Sequence, residues 1–282
     1  MKLGIFAKTF PRSRVEETLD AVVGLGLTHV QFNMLCAGGP TLPEWFDPEL
    51  CERIAGAFVE RGLTMAAVSG TFNMIHPDMS VRRAGLDGLH PLALSCAVMG
   101  APIITICTGT RDPEDMWRHH PDNLRTDAWR DLLGTLRQAV PIAESYGITL
   151  AIEPEAGNVV NSARRARRLL DEVGSAHLKV VIDPANLVHE GEQPRMQEVL
   201  EEAFELLGPE IVLAHAKEFS GEAGYDLDHY LGLLRGVGYE GVIVMHGVKE
   251  EEAKEKLGYL REKLGADRDM GIDEPEGPAS DF

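Results

Sequence analysis

The sequence has few of the features that mark a disulfide-bonded, secreted or membrane protein. Its 282 residues include only 4 cysteines, none in CxxC spacing, against 10 methionines, which is typical of a reducing compartment. No apolar run approaches the ~18 residues that a membrane span needs. The apolar stretch at residues 3–7 is too short for the core of a signal peptide. We therefore expect a soluble cytoplasmic protein without a membrane partner.

Basic residues are also in short supply. The chain has 27 Lys and Arg against 45 Asp and Glu, a net charge of −18 and a pI near 4.9. This balance argues against a nucleic-acid partner, because such proteins need a basic face to bind phosphates. Hydrophobic residues make up 44% of the chain, which is enough for one large core and excludes wholesale disorder.

Eight short apolar runs, each ending in a polar residue, recur along the chain. Each has the length of a strand, is rich in β-branched residues and is bounded by Gly, Pro or Asn. They lie at residues 3–7, 28–33, 64–70, 102–109, 148–155, 178–186, 211–218 and 242–247. Amphipathic helical patterns occur between them at 14–25, 126–146, 162–173 and 196–207. This alternation predicts a parallel sheet covered by helices on both sides.

Eight units of about 35 residues are enough to close a barrel. The alternative is an open doubly wound sheet, which normally has a GxGxxG turn after its first strand. Here the first strand is followed by AKTFPRS instead. The sequence therefore predicts an α/β fold of the (β/α)8 TIM-barrel type, with a single domain over residues 1–264. Residues 265–282 are acidic and lack periodicity, and we expect a flexible tail there.

Four potential metal ligands occupy equivalent places in this pattern. Glu153, Asp183, His215 and His246 each end an apolar run, with spacings of 30, 32 and 31 residues. In a barrel these positions meet at the C-terminal mouth, where active sites of this fold lie. Strand alternation points Glu153 and Asp183 inward, whereas the pattern around His215 is ambiguous. Two carboxylates and two imidazoles suit Mn²⁺, Zn²⁺ or Fe²⁺ better than Ca²⁺. The structural alternative is that such a residue only caps the next helix.

Further polar residues follow the same strands or lie on nearby loops. Glu155, Asn186 and Lys217 lie two or three residues beyond a potential ligand, so Glu155 is a candidate base and Lys217 a candidate oxyanion partner. An exposed ion pair is the alternative for both. Candidate substrate-binding residues also occur after the third strand and in the long connection at 110–129, which we interpret as a lid; they are Asn73, His76, Arg111 and Trp117. A loop with ordinary surface residues is the alternative there.

The segments IEPE, VIDPAN and HAKE, with the GYEG turn at 238–241, resemble the xylose-isomerase-like TIM-barrel superfamily. Within it, the sequence is most similar to the sugar phosphate isomerase/epimerase group, and the resemblance covers residues 1–264. It implies one divalent metal ion (Mn, Zn, Fe, Co or Mg) held by Glu153, Asp183 and His215. The family's fourth ligand is a glutamate on strand eight, and in this chain that position is His246.

The resemblance also implies an activity on a small sugar or sugar-derived substrate. The expected reaction is metal-dependent isomerisation or epimerisation of a ketose or polyol through a metal-stabilised enediolate. Epimerases of the family use two glutamates as an acid/base pair, so His246 leaves Glu153 or Glu155 as the base. His246 then completes the coordination or acts as the opposite acid.

Three other functions stay open at this point. One is dehydration of a polyol or inosose, and another is a non-catalytic barrel that binds metal or sugar. The third is a phosphodiesterase of the apurinic-endonuclease type. It is disfavoured because that enzyme class has a histidine three residues after the strand-six aspartate, and this chain has Asn186 at that position. The acidic chain also lacks the basic stripe that DNA binding requires. A homo-oligomer is compatible with the sequence, since exposed barrel faces often pair.

Overall fold

The computed structural model describes residues 1–188, 193–217, 219 and 225–265. Its eight parallel strands form a closed barrel in sequential order. The strands are β1 (Lys2–Phe6), β2 (His29–Phe32), β3 (Thr64–Ser69), β4 (Ile103–Ile106), β5 (Thr149–Ile152), β6 (Leu178–Ile182), β7 (Ile211–Ala216) and β8 (Val242–Met245). The predicted TIM barrel is therefore confirmed. The tail predicted at 265–282 lies outside the described residues except for its first glycine.

Helices follow the strands around the outside of the barrel. In the described ranges they are α1 (Val15–Gly24), α2 (Pro48–Glu60), α3 (Met79–Met99), α4 (Thr126–Ser145), α5 (Ala163–Val173), α6 (Pro184–Leu187), α7 (Met196–Leu207), α8 (Leu227–Gly236) and α9 (Glu250–Leu264). The four helical patterns found in the sequence correspond to α1, α4, α5 and α7. Capping explains the ends of α5: the Ser162 side chain accepts a hydrogen bond from the Arg165 backbone, and Gly174 ends the helix at φ 65°.

Strand alternation separates two apolar layers. Outward residues such as Leu150 and Ile152 belong to the large core between strands and helices. Inward residues form a second cluster inside the barrel, comprising Ala66, Ala67, Ala151, Val181, Leu213 and Val244. Four of these lie two residues before Glu153, Asp183, His215 and His246, so alternation continues each inward row into a potential ligand. The position of Leu213 resolves the orientation of His215, which the sequence pattern left ambiguous.

The described residues include no helix that is both long and apolar enough to cross a bilayer. All four cysteines are free thiols, and three of them are buried. Burial raises the pKa of Cys36 to about 11, and it raises the pKa of Cys51, Cys96 and Cys107 as well. These thiols are therefore poor nucleophiles near neutral pH.

We expect a Gly85→Ala substitution to destabilise the barrel, although alanine is the better helix former. A Cβ atom on Gly85, within α3, would lie 2.1 Å from the Phe72 ring. The overpacking cost of about 1–3 kcal/mol outweighs a helix-propensity gain of about 1 kcal/mol. Gly134→Ala, within α4, is the matched control because nothing lies within 4 Å of its added Cβ. Urea denaturation should show a lower free energy of unfolding for the first variant and an equal or higher one for the second. Equal stabilities would contradict the packing argument.

Candidate metal and substrate site

The four potential ligands meet at the C-terminal mouth of the barrel. His215 Nδ1 lies 3.2 Å from Glu153 Oε1 and 3.6 Å from Asp183 Oδ2. The His246 ring stacks on the His215 ring, with centroids 4.8 Å apart and planes 2° from parallel. One ligand atom each from Asp183, His215 and His246 lies within 4.8 Å of the other two. Side chains from four consecutive strands thus converge on one small volume.

Two buried atoms in this cluster have no hydrogen-bond partner among the described residues. Asp183 Oδ1 accepts a hydrogen bond from the Ala185 backbone at the start of α6, but Asp183 Oδ2 has no such partner. His246 Nδ1 is the second such atom. Buried polar atoms are nearly always satisfied in native proteins, so an unpaired carboxylate oxygen and imidazole nitrogen need an explanation. A divalent cation fits this donor set, because both atoms are ligands that transition metals accept.

The charges in the cluster act strongly on one another. Burial opposes ionisation of Glu153, but the neighbouring His215 outweighs it and holds the Glu153 pKa at about 2. Burial likewise favours neutral His215, yet Glu153 and Asp183 raise the His215 pKa to about 9. Burial, together with the charge of Glu153, raises the pKa of Asp183. The carboxyl groups of Glu153 and Asp183 therefore lie next to His215 in a buried volume. Negative charge in such a volume favours a cation there.

Two nearby groups have pKa values that are shifted toward the neutral form of the side chain. Burial and the charge of His215 lower the pKa of His246 to about 3, so its imidazole is neutral at physiological pH. A neutral imidazole is the form that binds metals. Burial and the charge of Glu153 raise the pKa of Glu155 to about 7.

Packing fixes the His246 ring from both sides. Its second stacking partner is Phe6 at the end of β1, with ring centroids 5.1 Å apart and planes 19° from parallel. β8 lies between β7 and β1 in the barrel, so the His246 ring lies between the rings of His215 and Phe6. The histidine at this position is therefore held in one place by aromatic contacts.

A cavity of about 330 Å³ opens above the cluster. Its lining includes six residues that the sequence singled out: Trp117, Glu153, Glu155, Asn186, Lys217 and His246. The other seven lining residues were not predicted from the sequence: Phe6, Lys8, Gln31, Asn33, Ser69, Thr71 and Thr105. A signal for three of them was available, since Gln31, Ser69 and Thr105 are polar residues within otherwise apolar strands. The cavity has room for a small polar molecule.

A hydrogen-bond chain links the polar residues on one side of this cavity. Lys217 Nζ donates to Asn186 Oδ1 over 2.9 Å, and Asn186 Nδ2 donates to Glu153 Oε1 over 2.8 Å. Glu153 Oε1 also contacts His215, so this carboxylate is engaged on two sides. By contrast, the Glu155 carboxylate has no hydrogen bond or ion pair within the described ranges, although it lines the cavity. Of the two glutamates, Glu155 is the one whose oxygens are available to a bound molecule.

Three residues predicted to bind substrate contact neighbouring loops and do not line the cavity. Asn73 Oδ1 accepts from the Thr110 backbone N–H, and Asn73 Nδ2 donates to the Thr110 carbonyl. His76 Nε2 lies 3.1 Å from the Pro113 carbonyl oxygen. Arg111 donates to the Ile75 carbonyl and pairs with an aspartate of α4. None of the three lines the cavity, and their contacts join the connections that follow β3 and β4.

The same contacts anchor the connection that the sequence predicted to be a lid. Gly109 has φ +76°, and a Cβ there would lie 2.1 Å from Asn73 Oδ1, so the close approach needs glycine. Asn123 Oδ1 accepts from the Arg111 backbone, and Asn158 Nδ2 donates to the Met116 carbonyl. Trp117, whose side chain is 44% exposed, is the residue of this segment that lines the cavity. The connection thus places one aromatic side chain over the mouth.

Residues 19–263 match the family described as xylose isomerase-like TIM barrel. Among solved structures, 3-keto-D-glucoside 4-epimerase from E. coli has a TM-score of 0.73 and 19% identity, covering 93% of this chain and 99% of that one. D-psicose 3-epimerase from Clostridium cellulolyticum H10 has a TM-score of 0.72 and 17% identity, with 94% and 99% covered. The IolI protein with a bound zinc atom has a TM-score of 0.70 and 16% identity, also with 94% and 99% covered. At these identities the likeness establishes a shared fold.

Proposed function

The chain belongs to the xylose isomerase-like TIM-barrel family, and on that premise we propose that it is a divalent-metal-dependent isomerase or epimerase of a small sugar or sugar-derived ketose. One observation carries the proposal. Asp183 Oδ2 and His246 Nδ1 are both buried without a hydrogen-bond partner in the described part of the chain, and they lie beside His215 and Glu153 directly under a polar cavity. The epimerase activities named for two solved structures of the same fold support the substrate class.

In this proposal Glu153, Asp183, His215 and His246 would hold the ion. When bound, it supplies positive charge that favours loss of a proton from a carbon next to a carbonyl group. His246 would offer a neutral nitrogen, His215 would release its Nδ1 proton on binding, and the two carboxylates would balance the charge of the ion. The zinc atom bound by the IolI protein supports a metal site in this fold but leaves the identity of the ion here open.

The chain's own residues carry the proton transfer. Glu155, whose carboxylate has no hydrogen bond or ion pair with the described residues, takes the proton from a sugar carbon and returns it to the neighbouring carbon. The proton of the adjacent hydroxyl group passes to the former carbonyl oxygen, so that the hydroxyl and carbonyl groups exchange places. Lys217 Nζ hydrogen-bonds the oxygen that gains negative charge, while Asn186 keeps the Glu153 carboxylate in place. Trp117 covers one side of the sugar and keeps water from it.

The identity of the residue that follows strand eight, His246, affects which reaction we propose. Two-base epimerisation requires acid/base groups on opposite faces of the substrate, and His246 occupies the place of the family's second glutamate. Among the described residues that line the cavity, the carboxylates are Glu153 and Glu155, on the same strand end. One carboxylate is sufficient to move a proton between adjacent carbons, so we favour aldose–ketose isomerisation.

Metal analysis and deuterium exchange together test this function. We expect purified protein to bind about one divalent ion per chain and to exchange a C–H proton of a ketose or aldose with D₂O, followed by NMR. A chelator-treated sample is the control, and its exchange should stop and then resume when metal is restored. A metal-loaded protein that exchanges no proton across a panel of sugars would instead favour a non-catalytic binding barrel. A shift of DNA mobility at low salt would favour the phosphodiesterase alternative.

A further inference from the structure

A glutamine crosses the inside of the barrel to reach the histidine of the cluster. Gln31, on β2, is 2% exposed, and its Oε1 lies 2.8 Å from His215 Nε2 on β7. Its Nε2 lies 3.2 Å from Ser69 Oγ and 3.4 Å from Thr105 Oγ1. Both ends of the amide therefore have partners, which come from three different strands.

The direction of the amide follows from the histidine. Ser69 and Thr105 carry hydroxyl groups, which accept as well as donate, so they tolerate either orientation of the amide. His215 Nδ1 faces the carboxylates of Glu153 and Asp183. If Nδ1 is to offer its lone pair to a cation, the ring proton must lie on Nε2. An N–H at Nε2 needs an acceptor, and Gln31 Oε1 is at the right distance to accept it.

We propose that Gln31 is a positioning residue that keeps the proton on His215 Nε2 and thereby points His215 Nδ1 at the ion. This inference rests on the proposed metal-binding function. The hydroxyl groups of Ser69 and Thr105 contact Gln31 Nε2 and hold the other end of the amide in place. Partners of this kind behind a metal-binding histidine typically contribute about 10- to 100-fold in metal affinity.

The burial of Gln31 gives a reason for its presence other than packing. An amide inside a barrel costs free energy unless all its hydrogen bonds are made. The inward layer next to it is built from small apolar residues such as Ala67 and Ala151. An apolar residue would fill the same space without needing hydrogen-bond partners. We therefore attribute the presence of the Gln31 amide to its contact with the His215 imidazole.

The decisive experiment compares the metal affinities of the Gln31→Leu and Gln31→Glu variants, with Zn²⁺ and Mn²⁺ as the probes. Leucine removes the acceptor at similar volume, and glutamate keeps an acceptor oxygen. We expect chelator competition to show about 10- to 100-fold weaker binding for Gln31→Leu and near-wild-type or tighter binding for Gln31→Glu. Gln138→Leu, on the exposed surface of α4, is the matched control and should bind metal like the wild type. A folded Gln31→Leu variant with wild-type affinity would overturn the proposal.

NMR of metal-free protein with ¹⁵N-labelled histidine, recorded above the His215 pKa of about 9 so that the ring carries a single proton, separates this inference from the proposed function. We expect the ring nitrogen shifts of His215 to place this proton on Nε2 in the wild type and in Gln31→Glu, and on Nδ1 in Gln31→Leu. If the wild type binds no metal, the proposed function fails, yet these shifts still report on the Gln31 contact. If the proton stays on Nε2 in Gln31→Leu, the positioning role is wrong even though metal binds. Should Gln31→Leu not fold, Thr105→Val removes one hydrogen-bond partner of the amide at equal volume and should weaken Zn²⁺ binding. Unchanged Zn²⁺ binding by Thr105→Val would also count against the proposal.

Discussion

An Asp183→Asn variant is expected to lose its divalent ion while the barrel stays folded. Asp183 Oδ1 caps α6 through the Ala185 backbone, and an asparagine oxygen can keep that hydrogen bond. The substitution removes the charged Oδ2, the buried oxygen without a hydrogen-bond partner in the described part of the chain. A direct ligand should matter more than an outer partner, so we expect at least about 100-fold weaker metal binding.

Metal content after dialysis and chelator competition measure this effect. Asp171→Asn is the matched control, since Asp171 is 63% exposed on α5 and far from the mouth in the fold. The control should keep about one ion per chain, and both variants should give wild-type circular dichroism. If Asp183→Asn keeps its full complement of metal, the ion-binding cluster is wrongly assigned.

A Glu155→Gln variant should bind metal normally and yet lose its activity. Glutamine keeps the size of the side chain but cannot take a proton from a sugar carbon. Loss of a general base typically lowers the rate by about 100- to 10,000-fold. Because the Glu155 carboxylate makes no hydrogen bond or ion pair with the described residues, its removal should leave the neighbouring side chains in place.

Deuterium exchange into the sugar, measured at saturating metal, distinguishes the two glutamates. Glu153→Gln should reduce both metal affinity and exchange, because Glu153 contacts His215 and Asn186. Glu155→Gln should reduce exchange alone. Glu114→Gln, 82% exposed on the connection after β4, makes the same chemical change and should have no effect. Normal exchange in Glu155→Gln would assign the base to another residue.

Individual residues show which features of the site could be predicted from the sequence and which could not. Strand alternation has a period of two, so a sequence pattern is sufficient to point Glu153 and Asp183 inward. His76 and Arg111 follow strands too, but they lie in loops, where backbone direction changes at each turn. Their side chains bind carbonyl groups of the neighbouring connection, Pro113 and Ile75, which no local pattern could specify.

The sequence by itself determined the eight repeating units, the closed barrel, the placement of four potential ligands at the ends of strands five to eight, and the inward direction of Glu153 and Asp183. These features depend on local periodicity and on the spacing of one unit to the next. Only the tertiary structure decided that Gln31 reaches His215 across the barrel and that His246 lies between two aromatic rings. Such contacts join residues up to 240 positions apart, such as Phe6 and His246. Side chains that far apart in sequence meet only because the barrel closes, and the closed geometry selects the partners.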